Sequence, residues 1–303
     1  MSTASAGTNT RRALIGPILV AAEDASPIDG ALHVAQLLAR RDRVNAHLVT
    51  VVRPLALPTS LFAPGDRDAW EELRRQQQLT AVRQRLHETI GRTAHFSVSA
   101  ESGSPAPVIA RIARERRAEL ILLGIDAHGA PRRPATEDAA LQVTRTADVP
   151  VVVIPPDVAL LPRSALVAMD FSEASARAAR AAVLALDGGG TVTLAHVAPD
   201  VDFREMGKEG WEQIYDRGVA GLFEQLAGEL RIPGEVDVET VFVRGDPSTH
   251  LLEIAARGAF ELIAAGSQTA PWIEWHLTGS VSTSLLRGAR CPVLIAPPAD
   301  AHG

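Results

Sequence analysis

GSPAPVIARIARERRAELILLG, residues 103–124, returns as GDPSTHLLEIAARGAFELIAAG, residues 245–266, at one constant offset and without a gap. The same offset carries PVVVIPP (150–156) onto PVLIAPP (292–298). Each copy reads as a glycine turn, a proline suited to the first helical position, an amphipathic stretch and then a short apolar strand. A supersecondary unit repeated at long period marks a duplicated fold. Towards the start of each copy the offset drifts by a few residues. ILVAAE (18–23) then corresponds to ALVAMD (165–170), and His47-Leu48-Val49 echoes His196-Val197.

Working outward, each copy alternates β-branched runs with helical patterns, which is the signature of βαβ units and a parallel sheet. The fold class is therefore α/β, in two tandem doubly wound, Rossmann-like domains. In the second copy the five strands fall at about 165–170, 191–197, 236–243, 260–266 and 292–296. Helices are predicted to begin near Ser172, Asp202, Pro247 and Gly279. Ser172 and Asp202 are suitable N-caps, because a side-chain oxygen can accept a free amide of the first turn. The division predicted is a tail over 1–12, one domain over 13–157 and a second over 163–298, joined by a short linker between prolines.

The 303 residues suit two domains, with 46% hydrophobic residues in short, interrupted runs. No run reaches the ~20 apolar residues that cross a bilayer, so no membrane partner is expected. Arg11-Arg12 before the apolar run 13–22 resembles a twin-arginine export signal, but that run contains Gly16 and Pro17 and ends on Glu23-Asp24 without a cleavage site. It reads as a tail followed by a strand, and a cytoplasmic location is expected. The net charge of −6 offers no general nucleic-acid surface. Lys208 is the only lysine, which excludes a Walker-type phosphate loop. Cys291 is the only cysteine, which excludes an internal disulfide, and the residue reads as a buried strand-edge thiol.

The order and spacing of LVAMDFSEAS (166–175), AHVAP (195–199), Gly245-Asp246-Pro247, ELIAAGS (261–267), Thr278-Gly279-Ser280-Val281 and Cys291-Pro292-Val293 resemble the universal stress protein family in its tandem-domain form. The resemblance covers nearly the whole chain after the Ser/Thr-rich start. It implies strand order 3-2-1-4-5 in each domain, with a ligand crevice at the carboxyl ends of the first and fourth strands, where strand order reverses. It also implies pairing of the last strands of two domains about a pseudo-twofold axis, internally in a tandem chain, with homodimerisation of the whole chain as a further option.

Members of that family that bind ATP share a pattern of Gly, two residues, Gly, nine residues, then Gly and Ser or Thr. The physical sense is that glycines admit backbone amides to phosphates and the last pair opens a helix whose amino end attracts anions. Gly266 and Gly279-Ser280 match the first and last positions here, and Thr269 stands in place of the middle glycine. Asp170 matches the acid that ends the first strand and helps hold the base and ribose. The resemblance thus implies an adenine-nucleotide site at Ala168, Met169, Asp170, Val197, Gly245, Ala265, Gly266, Thr269, Gly279, Ser280 and Val281, taking ATP with accompanying magnesium. In the first copy the equivalent positions after Gly124 are Ala127 and Glu137-Asp138, and Glu23 replaces the aspartate. Two acids where phosphates would sit repel them.

The implied role is a stress-response sensor or regulator, with no more than slow ATP hydrolysis. The alternative is a nucleotide-free member serving as a protein-interaction module, favoured by Thr269 and by the acids in the first copy. No Ser/His/Asp order or metal-ligand spacing repeats in both copies, so no catalytic residue is assigned. His47 and His196 read as core histidines. Trp272 and Trp275, in the loop after Gly266, read as residues that fill the phosphate pocket or pack against the other domain, with ligand contact as the alternative.

Overall fold

The structure, a computed structural model, describes residues 13–23, 27–54, 66–91, 95–125, 134–198, 211–230, 232–267 and 281–298. The predicted tail lies outside these residues, as do Asp202, Thr269, Trp272, Trp275, Gly279 and Ser280.

The first copy runs β1 (Ile18–Glu23), α1 (Asp29–Asp42), β2 (Ala46–Val52), α2 (Asp66–Ile90), β3 (Phe96–Ser102), α3 (Pro105–Glu115), β4 (Leu120–Gly124), α4 (Pro134–Thr146) and β5 (Val151–Ile154). The second runs β6 (Ser164–Ala168), α5 (Glu173–Ala185), β7 (Gly190–Ala198), α6 (Trp211–Leu230), β8 (Val236–Arg244), α7 (Pro247–Arg257), β9 (Leu262–Gly266), α8 (Val281–Gly288) and β10 (Val293–Ala296). Strand order is β3-β2-β1-β4-β5 in the first and β8-β7-β6-β9-β10 in the second, so each copy is ordered 3-2-1-4-5 and is parallel throughout. Among the described residues the two sheets merge into one of ten strands, because β5 and β10 pair antiparallel, Val152 opposite Leu294. Each apolar last strand thereby loses the open edge that would otherwise invite aggregation.

Helices cover both faces. Leu32 of α1, Val82 of α2, Ala178 of α5 and Phe223 of α6 belong to one buried layer, which also takes in Leu122 and Leu294 of the sheet. Ile109 of α3, Val143 of α4, Leu251 of α7 and Leu285 of α8 belong to the other. Burial on both faces explains why the strands read as continuous apolar runs; all seven residues of β2 are buried. A wholly buried aliphatic side chain contributes about 1.5–3 kcal/mol.

Two arginines fasten the halves together. Arg41, at the end of α1, donates to the carbonyls of Leu184 (2.6 Å) and Leu186 (2.5 Å), which close α5 in the other half. Arg177 of α5 donates to the carbonyls of Pro297 (3.0 Å) and Pro298 (2.6 Å), and reaches back to that of Asp148 (3.3 Å).

The register corrects one sequence equivalence. Ala21 lies opposite Val49 and Leu123, and Ala168 lies opposite Ala195 and Ala265. The residue matching His196 is therefore Thr50, and His47 sits near the opposite end of its strand. His47 is 3% exposed and its ring nitrogens meet the hydroxyls of Ser97 (2.7 Å) and Ser99 (2.9 Å). Burial, together with the Arg116 charge, pushes its pKa down to about 4, so it is a neutral core histidine.

Candidate functional site

The crevice lies where β6 and β9 end side by side. Strand β6 stops at Ala168, two residues short of the predicted end, although Met169 still donates its amide to Ala195. The chain then turns sharply. Phe171 takes φ 61°, a left-handed conformation uncommon for a non-glycine residue. Asp170 Oδ1 accepts from the amide (3.0 Å) and hydroxyl (2.6 Å) of Ser172. Ser172 is the N-cap of α5, as its sequence position predicts, its oxygen accepting the Ser175 amide at 3.2 Å. Asp170 is exposed at the mouth of the crevice, while Met169 beside it is buried.

His196 fixes this turn from the neighbouring strand. Its Nδ1 lies 2.7 Å from the Met169 carbonyl and must carry the proton, since a carbonyl only accepts; Nε2 takes the Tyr215 hydroxyl at 3.1 Å. The rings of Phe171 and Phe242 pack against the imidazole at 5.0 and 5.9 Å. Arg244 lies over Tyr215 and Phe242 and pairs with Asp216 at 2.6 Å. At the matching places the first half carries Thr50, Ala100 and Ser102, and the buried Thr50 Oγ1 has no hydrogen-bond partner among the described residues. His196 is thus a structural histidine with both ring nitrogens satisfied locally, and what its sequence position does not reveal is that it holds the Met169 turn.

The glycines divide by role. A Cβ on Gly266 would stand 2.6 Å from the backbone carbon of Ala174 and the amide nitrogen of Ser175, in the first turn of α5. Gly124 meets the backbone of Pro27 and Ile28 in the same way. Both halves therefore need glycine here for helix-on-strand packing, whatever the crevice holds. Gly245, at φ +136°, lies against the His250 imidazole, and that backbone conformation would strain any other residue. The helix it introduces is closed by its own carboxylate: Asp246 Oδ1 accepts from the amide (2.8 Å) and hydroxyl (2.7 Å) of Thr249, and these bonds hold Asp246 below the usual carboxylate range.

Helix α8 is different. From Val281 on it has no acid in its first turn, and Ser282 Oγ donates to the Gly266 carbonyl at 3.1 Å, so its amino end is fastened at the end of β9. In the first half Glu137 and Asp138 lie within the opening turns of α4. The structure thus brings together Ala168, Met169, Asp170, Ala265, Gly266 and Val281, with Val197 on the next strand and Gly245 beyond it. Thr269, Gly279 and Ser280 fall outside the described residues. No cluster of three metal-ligating side chains occurs among the described residues, and no described helix is long and apolar enough to cross a membrane.

A model of the Universal stress protein family matches residues 15–155 and again 162–297. The chain is 29% identical over 234 residues to a universal stress protein of Mycobacterium tuberculosis, covering 75% of this chain and 78% of that one. A second, from Mycolicibacterium smegmatis, is 28% identical over 291 residues, covering 93% and 97%. Among solved structures, a universal stress protein from Archaeoglobus fulgidus superposes with a TM-score of 0.66 at 18% identity, covering 93% of this chain and 98% of that one.

Proposed function

The chain belongs to the universal stress protein family, and on that premise we propose that its second half, residues 163–298, binds an adenine nucleotide and works as a nucleotide-dependent sensor or regulator. The observation that carries this reading is the seat of α8. Its amino end is tied to Gly266 beside the Asp170 turn and carries no acid in its first turn. A helix amino end attracts an anion by about 0.3–1 kcal/mol, and more where the geometry is partly buried. Phosphates approaching there would meet Gly279, Ser280 and Val281, with Asp170 on the ribose side and Val197 and Ala265 flanking the base. Magnesium, if it accompanies ATP, would neutralise phosphate charge that no lysine or arginine of the segment 267–280 is there to meet. The first half, residues 13–157, fits an anion poorly, because Glu137 and Asp138 occupy the matching helix.

A nucleotide-free interaction module is the second reading. Thr269 favours it, and so does the packing of Gly266, which explains that glycine without a phosphate. Titration calorimetry of nucleotide-stripped protein with ATP, ADP and AMP separates the two. Saturable heat that is lost in Gly279→Glu and reduced in Asp170→Ala supports the nucleotide reading; no heat with any of the three supports the module. Expected localisation is the cytoplasm, and self-association of the whole chain is testable by sedimentation.

A further inference from the structure

A recess of about 620 Å³ opens between the two halves, far from the crevice, and is walled by the linker that joins them. Val34 and Leu38 of α1, Leu122 of β4 and Ile154 of β5, all buried, back one side; Leu161 of the linker and Ala185 of α5 back the other. The volume falls within the roughly 300–1,000 Å³ of small-molecule sites. Charged side chains stand only around its mouth and carry both signs. Arg163 lies 4.0 Å from Asp187, and Glu261 accepts the Arg163 amide at 2.5 Å.

Among the described residues, the polar side chain set back from the mouth is Cys291, and burial pushes its thiol up to about 11, which keeps it neutral. The linker also holds Leu160 at the mouth with 76% of its surface in solvent, next to the exposed Ala159. Phe260, Arg290 and Cys291 line a second recess of about 440 Å³ beneath α7 as well, so Phe260 stands between the two.

The geometry points to a binding site for an uncharged, largely apolar small molecule in the linker recess. A charged body would lose its hydration against aliphatic walls while the charges at the mouth, being of both signs, largely offset one another, whereas an apolar one gains by leaving water. Because both halves and the linker contribute walls, an occupant would bridge them. The site is independent of any nucleotide in the crevice.

The test uses the full chain with N-phenyl-1-naphthylamine, a neutral probe that brightens in apolar surroundings, and with Cys291 as an internal reporter. Since Cys291 is the only cysteine, iodoacetamide alkylation reads the recess directly. We expect saturable probe binding at one site, with Cys291 alkylation slowed about tenfold at saturation, the ratio that corresponds to about 1.4 kcal/mol. Ala159→Trp, on the exposed linker, should keep the wild-type circular dichroism and weaken the probe by a similar factor; Ala185→Phe should do the same from the opposite wall. The anionic 1-anilinonaphthalene-8-sulfonate should bind more weakly. Absence of saturable binding, binding that leaves the Cys291 rate unchanged, or tighter binding of the anion would overturn the assignment.

Discussion

Replacing Gly266 by alanine tests whether this glycine serves packing, ligand binding or both. The new Cβ would lie 2.6 Å from two backbone atoms of α5, close to an ångström inside ordinary contact, and neither atom is the end of a flexible side chain that could swing away. Overpacking of a tight core costs about 1–3 kcal/mol. Against it stands a gain of about 0.4–1 kcal/mol from the lower entropy of the unfolded chain. The net is a loss of roughly 1–2 kcal/mol. With a urea slope of about 1–3 kcal/mol per molar, the midpoint should fall by about 0.5–1 M. Gly124→Ala should show a loss of similar size, since its Cβ meets the backbone of Pro27 and Ile28. The assay is urea denaturation followed by far-ultraviolet circular dichroism, without nucleotide. An unchanged or raised midpoint in Gly266→Ala would refute the packing argument and return the glycine to the ligand alone.

Three further outcomes follow from the same contacts. His47 titrates near 4 in the folded protein and at about 6.5 when unfolded, so its contribution is complete above pH 6.5 and lost as pH falls towards 4, at up to about 1.4 kcal/mol per pH unit. His47→Gln should flatten that part of the stability–pH curve measured by urea titration, and an equally steep curve would count against it. Arg41→Ala removes two charged hydrogen bonds across the halves, worth about 1.5–3 kcal/mol each at most, and should raise amide exchange at the end of α5 before it alters β2; equal protection in both proteins would speak against the clasp. A chain ending after residue 157 exposes the VVVI edge of β5 and should dimerise through it in sedimentation, whereas a stable monomer would show that the edge is otherwise protected.

Much of the architecture was legible because the repeat falls on elements that end in tight backbone geometry. Gly103 and Gly245 both have φ in the left-handed range, and Pro105 and Pro247 both open helices. The chain has little freedom to vary the spacing between such points. The last strands, apolar and flanked by prolines, likewise announced edges in need of a partner, and β5 and β10 supply it to each other. The pairing of His47 with His196 failed for the opposite reason. Ala21 faces Val49 where Ala168 faces Ala195, which puts Thr50 in the place of His196; a shared letter pattern misled where only hydrogen-bond register decides. The crevice was legible at Asp170 and Gly266 by position. The aromatic cluster on His196 was not, because Tyr215 and Phe242 come together only when α6 lies over β7 and β8.

The measurement that bears most directly on the nucleotide reading is the nucleotide content of freshly purified protein, released by denaturation and read by mass spectrometry, for wild type beside Gly279→Glu. An adenine nucleotide released from the wild type and absent from the variant is the predicted result. A wild type that releases none, and takes up none after incubation with ATP and magnesium, would contradict the account.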